Sequence, residues 1–278
     1  MPELPEVETI CRALQSKVKG ETICNVNVLH NQVIEPLDAA SYRSALLGST
    51  LTSFARRGKY IIGTLSTPGF IIIHLRMTGQ LHWTEPAVPL LPHTHLIFTM
   101  TSGNELRYVD IRRFGKVRYQ FNIEEDPTLA CLGTEPFDAE LTPHSFHQLL
   151  QRRHSPVKAI LLDQSILAGM GNIYADEALF TAGLHPERHA SSLSEEECTE
   201  LLRAIRFVLE ESITHRGSSM RDYCNIDGIK GTYQEMWRVY RQTGSPCPRC
   251  GNAIRRITVR GRSSHFCPVC QPADGRLR

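Results

Sequence analysis

Two short motifs near the C-terminus, Cys247-Pro248-Arg249-Cys250 and Cys267-Pro268-Val269-Cys270, decide the fold of the last part of the chain. Each motif has two residues between its cysteines, and sixteen residues separate the motifs. This spacing is typical of a tetrahedral zinc site of the ribbon type, in which four thiolates leave no open coordination position. We therefore expect one structural Zn²⁺ ion bound by Cys247, Cys250, Cys267 and Cys270, with a β-hairpin between the two motifs.

The chain around this metal site is basic, although the whole protein is nearly balanced in charge. The 278 residues carry a formal charge of +2, whereas residues 236–278 contain nine arginines, one acid and no lysine. A C-terminal segment with so many cations and so few acids is typical of a polyanion-binding surface. This predicted zinc finger either contacts nucleic acid or only stabilises the fold. The arginines of its predicted hairpin favour contact: Arg255, Arg256, Arg260 and Arg262.

The cysteine usage and the N-terminus suggest a reducing compartment. Of nine cysteines, the five outside the motifs are scattered, and we expect them to be small buried hydrophobic residues: Cys11, Cys24, Cys131, Cys198 and Cys224. The acidic start lacks the apolar core of a secretory signal, and no run approaches the roughly 18 apolar residues of a membrane span. We therefore expect a cytoplasmic protein.

Helical patterns precede the basic tail. They predict helices over residues 142–153, 156–163, 171–182 and 194–215, the last opened by a capping box at Ser194 and Glu197. Gly171 and Asn172 start the third helix, a weak signal for an anion site. Residues 216–231 are rich in glycine, serine and aspartate, which predicts a mobile loop that either covers a pocket or merely links the helices to the tail.

Short β-rich segments fill the first half of the chain. The predicted strands cover residues 22–28, 50–55, 60–65, 70–75, 79–83, 95–99, 105–109 and 116–121. Strands at this spacing favour an antiparallel sandwich or barrel. One short helix near residues 40–47 interrupts them, and the loop-like segment 129–143 marks a domain boundary.

Three loops among these strands combine cations with apolar side chains: residues 56–59, 74–79 and 110–115. Insertion into a duplex needs a cation to hold a phosphate or an orphaned base and an apolar wedge to fill the vacated stack. Met77 and Phe114 suit the wedge, but core packing is the better explanation of each of them taken singly. The presence of Arg112 beside Phe114 leaves the two interpretations even.

The chain begins Met1-Pro2-Glu3-Leu4-Pro5-Glu6, and apolar periodicity predicts a helix over residues 5–20. Once Met1 is removed, Pro2 is a secondary amine, and α-amino groups have a reference pKa of about 7.7 to 8.0. Such an amine can attack a sugar anomeric carbon to give an imine, while neighbouring carboxylates move the protons. Taken alone, however, a proline-rich start more often means only a stiff, protease-resistant end.

Together these motifs resemble the bacterial formamidopyrimidine-DNA glycosylases, repair enzymes that remove 8-oxoguanine and ring-opened purines. The likeness runs through residues 1–9, 58–60, 74–79, 110–115 and 169–174 to the finger, and so covers essentially the whole chain. It implies an α+β fold: an N-terminal eight-stranded antiparallel β-sandwich with a leading helix (residues 2–133), a helix-two-turns-helix domain with a lesion-recognition loop (134–235), and a four-cysteine zinc finger with a β-hairpin (236–278).

The resemblance also implies roles for the N-terminal residues. Pro2 would be the nucleophile that attacks deoxyribose C1′, Glu3 the adjacent acid or base, and Glu6 the residue that positions the sugar or the amine. Glycosidic cleavage through a Schiff base would be followed by β- and δ-elimination. The implied phosphate contacts are Lys59, His74, Asn172 and Arg262, of which Lys59 and Arg262 count as catalytic.

Further implied roles concern the gap left by the flipped nucleotide. Met77, Arg112 and Phe114 would fill this gap, with Arg112 facing the estranged cytosine. The loop at 217–233 would close over the base, with Ser218 and Tyr223 as recognition residues. The implied partner is duplex DNA containing oxidised purines, and the protein would act as a monomer with no membrane partner.

Two features depart from the family pattern, and two other functions stay open. Arg216 stands where a glycine often precedes the recognition loop, and Arg256 and Arg260 leave the finger contacts ambiguous beside Arg262. The alternatives are a glycosylase of the endonuclease VIII type, which prefers oxidised pyrimidines, and a non-catalytic zinc-finger lesion-binding protein.

Overall fold

The computed structural model describes residues 1–220 and 223–273, which fall into two compact units. The first unit is Met1–Ala130 together with His215–Thr232, and the second is Cys131–Thr214 together with the residues from Tyr233 onward. The irregular segment after residue 215 therefore groups with the strands and not with the helices that precede it. The predicted domain limits at residues 133 and 235 stay a prediction.

The described part of the first unit has eight strands in two antiparallel sheets. Their bounds are β1 (Ile23–Val28), β2 (Leu51–Arg57), β3 (Tyr60–Leu65), β4 (Phe70–His74), β5 (Gly79–Thr84), β6 (Thr94–Met100), β7 (Glu105–Asp110) and β8 (Lys116–Gln120). One sheet has the order β1-β6-β7-β5 and the other the order β2-β3-β4-β8. This confirms the predicted eight-stranded antiparallel sandwich.

One hydrophobic core joins the two sheets and the leading helix α1 (Leu4–Lys17). Side chains of both sheets, such as Phe98 and Ile73, belong to the same buried cluster as the α1 face that carries Val7 and Leu14. Helix α1 ends three residues before the predicted limit because the N–H groups of residues 18 and 19 both donate to the carbonyl of Leu14. The core thus fixes the helix that follows Pro2 and Glu3.

Polar contacts also fasten α1 to strand β2. The amide of Phe54 donates to Gln15 Oε1 at 2.7 Å, and Arg56 Nε donates to Glu8 Oε2 at 2.9 Å. Strand β2 continues directly into the Gly58–Lys59 turn, which contains the predicted site residue Lys59.

The remaining helices are α2 (Ala39–Leu46), α3 (Pro127–Ala130), α4 (Pro143–Gln151), α5 (Val157–Leu162), α6 (Asn172–Ala182) and α7 (Glu195–Thr214), and the finger has strands β9 (Arg255–Val259) and β10 (Arg262–Phe266). Single 3₁₀ turns lie at Asn31–Val33, Ile123–Glu125, Ala190–Ser192 and Tyr233–Met236. Helix α6 is buried along most of its length and packs against α5, α7 and β10. The Ser194–Glu197 capping box is present, with N–H donors at 3.0 and 3.2 Å from the reciprocal side chains.

Burial corrects the expectation for the scattered cysteines. Cys11 and Cys198 are buried, but Cys24 and Cys131 are exposed and Cys224 is only partly buried. Cys24 lies on an outward position of β1, and Cys131 follows α3 in a connecting segment. Position in the element, not residue type, therefore decided their burial. Among the described residues, no helix has the length and apolar composition needed to cross a membrane.

Candidate active site

Pro2, Glu3 and Glu6 are buried together at the start of α1. Glu3 is the N-cap residue of this helix, and its backbone N–H donates to Glu6 Oε2 at 2.8 Å. This is one half of a capping box, in which the third helical residue reaches back to the cap. The arrangement holds residue 2 directly ahead of the helix, while Met1 is 49% exposed.

The Glu6 carboxylate also binds the predicted recognition loop. Its Oε1 atom accepts a hydrogen bond from Ser218 N at 2.7 Å. A Cβ atom at Gly217 would lie 2.8 Å from the same oxygen, and Gly217 has φ +79°, so this position requires glycine. The Tyr223 hydroxyl lies 3.3 Å from the Glu6 carbonyl and 3.1 Å from that of Arg216. The structure thus brings Glu6, Ser218 and Tyr223 together.

Arg216 adopts a left-handed backbone, with φ 61°. A glycine has no steric penalty in this region, which explains why glycine suits the position. The arginine itself adopts this left-handed conformation and is followed by Gly217, whose φ is also positive. The described part of the predicted loop is anchored further by Ile226, which is buried in the core of the sandwich.

Lys59 and His74 are both buried in the first unit, Lys59 just before β3 and His74 at the end of the adjacent strand β4. Lys59 is 7% exposed in the turn between β2 and β3, and His74 ends β4 with 8% exposure. His74 Nδ1 accepts a hydrogen bond from Arg76 N at 2.9 Å. Burial, followed by the charges of Arg76 and Lys59, lowers the pKa of His74 to about 3. The imidazole is therefore neutral near pH 7, and Nε2 carries its proton.

Met77, Arg112 and Phe114 form an exposed cluster, which we call the wedge trio. Arg112 Nη1 lies 2.8 Å from Met77 Sδ, and the guanidinium carbon lies 4.6 Å from the centre of the Phe114 ring. Met77 is 46% exposed and Phe114 is 52% exposed, which excludes core packing for both residues. Of the two interpretations that the sequence left open, exposure supports contact with a ligand.

In the second unit, Asn172 lies close to the finger. It is the first residue of α6, and its Nδ2 donates to the carbonyl of Ser263 at 3.0 Å. Arg262, the preceding residue, begins β10 and is exposed. The two predicted phosphate contacts of this unit are thus neighbours.

A buried charged cluster that the sequence patterns did not predict fixes the same hairpin. Lys158 and Asp176 are fully buried, with Nζ 2.6 Å from Oδ1, and Lys158 Nζ also donates to the Ser263 carbonyl at 2.6 Å. Asp176 Oδ2 accepts from both the backbone N and Nδ1 of His265 at 2.9 Å. A lysine within an otherwise apolar helix was the one sequence signal of this cluster.

The four finger cysteines have the geometry of a metal site. Their sulfurs all lie within 4.8 Å of one another, with Cys247–Cys270 at 3.8 Å and Cys250–Cys267 at 3.5 Å. A tetrahedron with Zn–S bonds of about 2.3 Å has edges of about 3.8 Å. Backbone N–H groups of Arg249 and Cys270 point at sulfurs from 3.4 Å. The residues therefore fit one structural Zn²⁺ ion, whose coordination shell is closed by four sulfurs.

Three family models match consecutive parts of the chain. The formamidopyrimidine-DNA glycosylase N-terminal domain matches residues 1–117, and the formamidopyrimidine-DNA glycosylase H2TH domain matches residues 132–223. A zinc finger found in FPG and IleRS matches residues 244–273. These models cover the two sheets up to the start of β8, every described α-helix except α3, and the cysteine tetrad.

Individual relatives match over nearly their whole length. A formamidopyrimidine-DNA glycosylase of an Exiguobacterium species is 45% identical over 274 residues, which are 98% of this chain and 99% of the relative. The structure of Lactococcus lactis Fpg with DNA containing an abasic site has a TM-score of 0.90 at 34% identity, covering 97% of this chain and 99% of that one. Wild-type L. lactis Fpg with DNA containing an oxidised pyrimidine has a TM-score of 0.89 at 34% identity, with 98% and 100% coverage. This chain belongs to the formamidopyrimidine-DNA glycosylase family.

Proposed function

We propose that the chain is a bifunctional DNA glycosylase and AP lyase of base-excision repair. It removes oxidised purines, such as 8-oxoguanine and formamidopyrimidines, from duplex DNA and then nicks the strand. One observation carries this proposal: the Glu6 carboxylate accepts hydrogen bonds from both Glu3 N and Ser218 N. The N-terminus, which would perform the chemistry, is thereby joined to the loop that would hold the base.

Pro2 is the proposed nucleophile once Met1 has been removed. Its nitrogen lone pair forms a bond to C1′, the glycosidic bond breaks, and the base leaves with its bonding electrons and a proton. Loss of the amine proton and opening of the sugar ring give the iminium form of a Schiff base. Glu3 lies next to this amine and is the group placed to accept and return protons.

The Schiff base then permits strand cleavage. It acidifies the C2′ proton, whose removal expels the 3′ phosphate by β-elimination, and δ-elimination expels the 5′ phosphate. Water finally hydrolyses the iminium and regenerates the Pro2 amine. Glu6 has a different role in this scheme. Its two carboxylate oxygens accept hydrogen bonds from the backbone N–H groups of Glu3 and Ser218, and it therefore positions the N-terminus and the loop.

Four residues are proposed to hold the phosphates around the lesion. Lys59 and Arg262 supply charge, which strengthens their contacts with phosphate oxygens. His74 and Asn172 contribute neutral N–H donors, because the His74 ring is unprotonated near neutral pH. The wedge trio would fill the gap in the duplex, with Arg112 facing the orphaned base, while Ser218 and Tyr223 would lie beside the flipped nucleotide.

Borohydride reduction of the enzyme with a duplex containing 8-oxoguanine tests the nucleophile. We expect a covalent protein-DNA adduct that disappears in Pro2→Gly and when Met1 is retained. Pro5→Ala is the matched control, because it changes a proline of the same segment but leaves the terminal amine intact. An adduct that persists at full yield with a blocked N-terminus would show that a lysine is the nucleophile.

Oxidised pyrimidines are the second candidate substrate class, because the L. lactis relative has been solved with DNA containing such a lesion. Competition between duplexes with 8-oxoguanine and thymine glycol separates the two classes, and preference for thymine glycol would overturn our choice. A non-catalytic lesion-binding protein would give no adduct with either duplex. A DNA substrate is also the reason to propose the cytoplasm as the compartment.

A further inference from the structure

A single buried carboxylate joins the two segments that carry the wedge trio. Asp110 ends β7 and is fully buried. Its Oδ1 accepts hydrogen bonds from Thr78 Oγ1 at 2.5 Å and Arg112 N at 3.1 Å, and its Oδ2 accepts from Gly115 N at 2.8 Å. Thr78 follows Met77, whereas Arg112 and Gly115 lie on either side of Phe114. The Asp110 side chain therefore holds both segments at their bases.

Tyr108 completes this arrangement from the core side. Its hydroxyl donates to Asp110 Oδ2 at 3.1 Å, and its ring is fully buried. A Cβ atom at Gly79 would lie 2.8 Å from this hydroxyl, and a Cβ atom at Gly115 would overlap with it. The two segments approach the Tyr108 hydroxyl so closely that only glycine fits at each of these positions.

The Thr78 hydroxyl connects the segments a second time. Arg112 N lies 3.1 Å from Thr78 Oγ1 as well as 3.1 Å from the Asp110 carboxylate. Residues 75–79 and 110–115 are thus joined at their bases by hydrogen bonds through the Asp110 carboxylate and the Thr78 hydroxyl, and at their tips by the contact of Arg112 with Met77. Buried hydrogen bonds to an ionised acceptor are among the stronger ones in proteins.

We propose that Asp110 and Tyr108 are positioning residues for opening the duplex. They hold residues 75–79 and 110–115 in one arrangement before DNA binds, so that the wedge trio enters the base stack as a preformed unit. A preformed unit avoids the entropic cost of ordering three exposed side chains during insertion. This inference rests on the proposed function, but it concerns the separation of paired strands and not the chemistry at Pro2.

Comparison of two substrates tests the proposal. One substrate is a duplex with 8-oxoguanine paired to cytosine, which requires insertion into the stack. The other is a single strand with an abasic site, which has no partner strand to separate. For Asp110→Asn we expect the single-turnover cleavage rate on the duplex to fall about tenfold, the usual size for the loss of a buried charge-assisted hydrogen bond. Cleavage of the single strand should be unchanged.

Asp126→Asn is the matched control for the general effect of removing a buried carboxylate. Asp126 is also fully buried, and its Oδ1 accepts hydrogen bonds from Thr128 Oγ1 at 2.5 Å, Thr128 N at 2.9 Å and Leu129 N at 3.1 Å. It lies in a different loop, so its variant should keep the wild-type ratio of the two rates. A lowered ratio in this control would overturn the proposal.

A second pair of variants keeps the test decisive if Asp110→Asn does not fold. Thr78→Val removes the bridging hydroxyl and should lower the ratio of the cleavage rate on the duplex to the cleavage rate on the single strand. Thr78→Ser retains the hydroxyl and should keep the wild-type ratio. A normal ratio in folded Asp110→Asn or Thr78→Val, or equal loss on both substrates, would refute the positioning role. If the wild-type protein cleaves neither substrate, the proposed function fails instead.

Discussion

Glu6 Oε1 lies 2.7 Å from the backbone nitrogen of Ser218, which is 212 residues further along the chain. The other oxygen of the same carboxylate lies 2.8 Å from the backbone nitrogen of Glu3. Because one small group holds both segments, a change in the position of the loop is transmitted to the residues beside Pro2. This relationship leads to the first prediction.

Glu6→Gln replaces one accepting oxygen with an amide that cannot accept from an N–H group. Either Glu3 N or Ser218 N then loses its partner, and an unsatisfied buried donor costs about 1–3 kcal/mol. We expect about a tenfold or greater loss in single-turnover excision of 8-oxoguanine, since about 1.4 kcal/mol corresponds to a factor of ten. Cleavage of a preformed abasic site, which has no base for the loop to hold, should fall less.

Glu8→Gln is the control for this prediction, because Glu8 lies on the same helix but pairs with Arg12 and Arg56. It should change neither rate by more than about twofold, because the ion pairs of Glu8 are partly accessible to solvent. Equal losses on both substrates in Glu6→Gln would contradict a link between the loop and the N-terminus.

His74 should contribute to DNA binding without contributing charge. Its pKa is lowered to about 3 by burial and by the charges of Arg76 and Lys59. We therefore expect His74→Gln to weaken DNA binding without changing the salt dependence of the binding constant. Lys59→Gln should lower the slope of log K against log salt by about one. Equilibrium titrations at several salt concentrations check both, and a slope change in His74→Gln would show that the ring is cationic.

The same pKa shift predicts a pH dependence of stability. An unfolded histidine has a pKa of about 6.5, so the unfolded chain binds a proton at this residue that the folded protein does not bind. As pH falls from about 7 to 5, His74 should therefore lower the free energy of unfolding. In urea unfolding, the free energy of unfolding of His74→Gln should decrease less steeply with falling pH over this range. Parallel curves for the two proteins would argue against a buried neutral ring.

Removal of zinc should abolish DNA binding, because the four sulfurs are what close the hairpin that carries Arg262. Arg262→Ala, with zinc still bound, should weaken binding and lower the salt slope by roughly one. Arg203→Ala is a suitable control, since Arg203 is an exposed arginine of α7 paired with Glu200. Unchanged DNA binding after verified zinc loss would rule out a role for the finger.

Lys158→Met should destabilise the second unit strongly. The substitution leaves Asp176 buried without its cationic partner, and breaking a buried ion pair costs about 3–5 kcal/mol. We expect the free energy of unfolding to fall by this amount in denaturant titrations. Replacement of both residues, as in Lys158→Met with Asp176→Leu, should recover part of the loss because no unpaired charge remains. A loss of the same size in both proteins would show that other contacts of Asp176 dominate.

Sequence patterns predicted the strands, most helices and the metal ligands because each of these depends on residues close together in the chain. Short β-rich segments located the eight strands to within two residues, and cysteine spacing alone identified the tetrad. Interactions between distant residues were not predictable in this way. Asp110 accepts from a residue 32 positions earlier in the chain, and Lys158 pairs with Asp176, 18 positions later.

Met77 and Phe114 show that residue type alone does not predict whether a side chain is buried or exposed. Both are apolar, and the sequence left core packing and ligand contact equally open. The difference depends on where the backbone directs each side chain. That direction follows from the hydrogen bonds of Asp110, which only the folded chain reveals. The same holds for Cys24, whose exposure depends on the face of β1 that it occupies.

The wedge trio has a consequence for the protein without DNA. Since the hydrogen bonds of Asp110 and Thr78 hold Met77 and Phe114 outward at about half exposure, these apolar groups stay in contact with water throughout the search for damage. Exposed apolar patches promote self-association. The neighbouring arginines offset this tendency by mutual repulsion between molecules, which salt screens. The free protein should therefore lose solubility as ionic strength rises, and short duplexes should act as its solubilising agent.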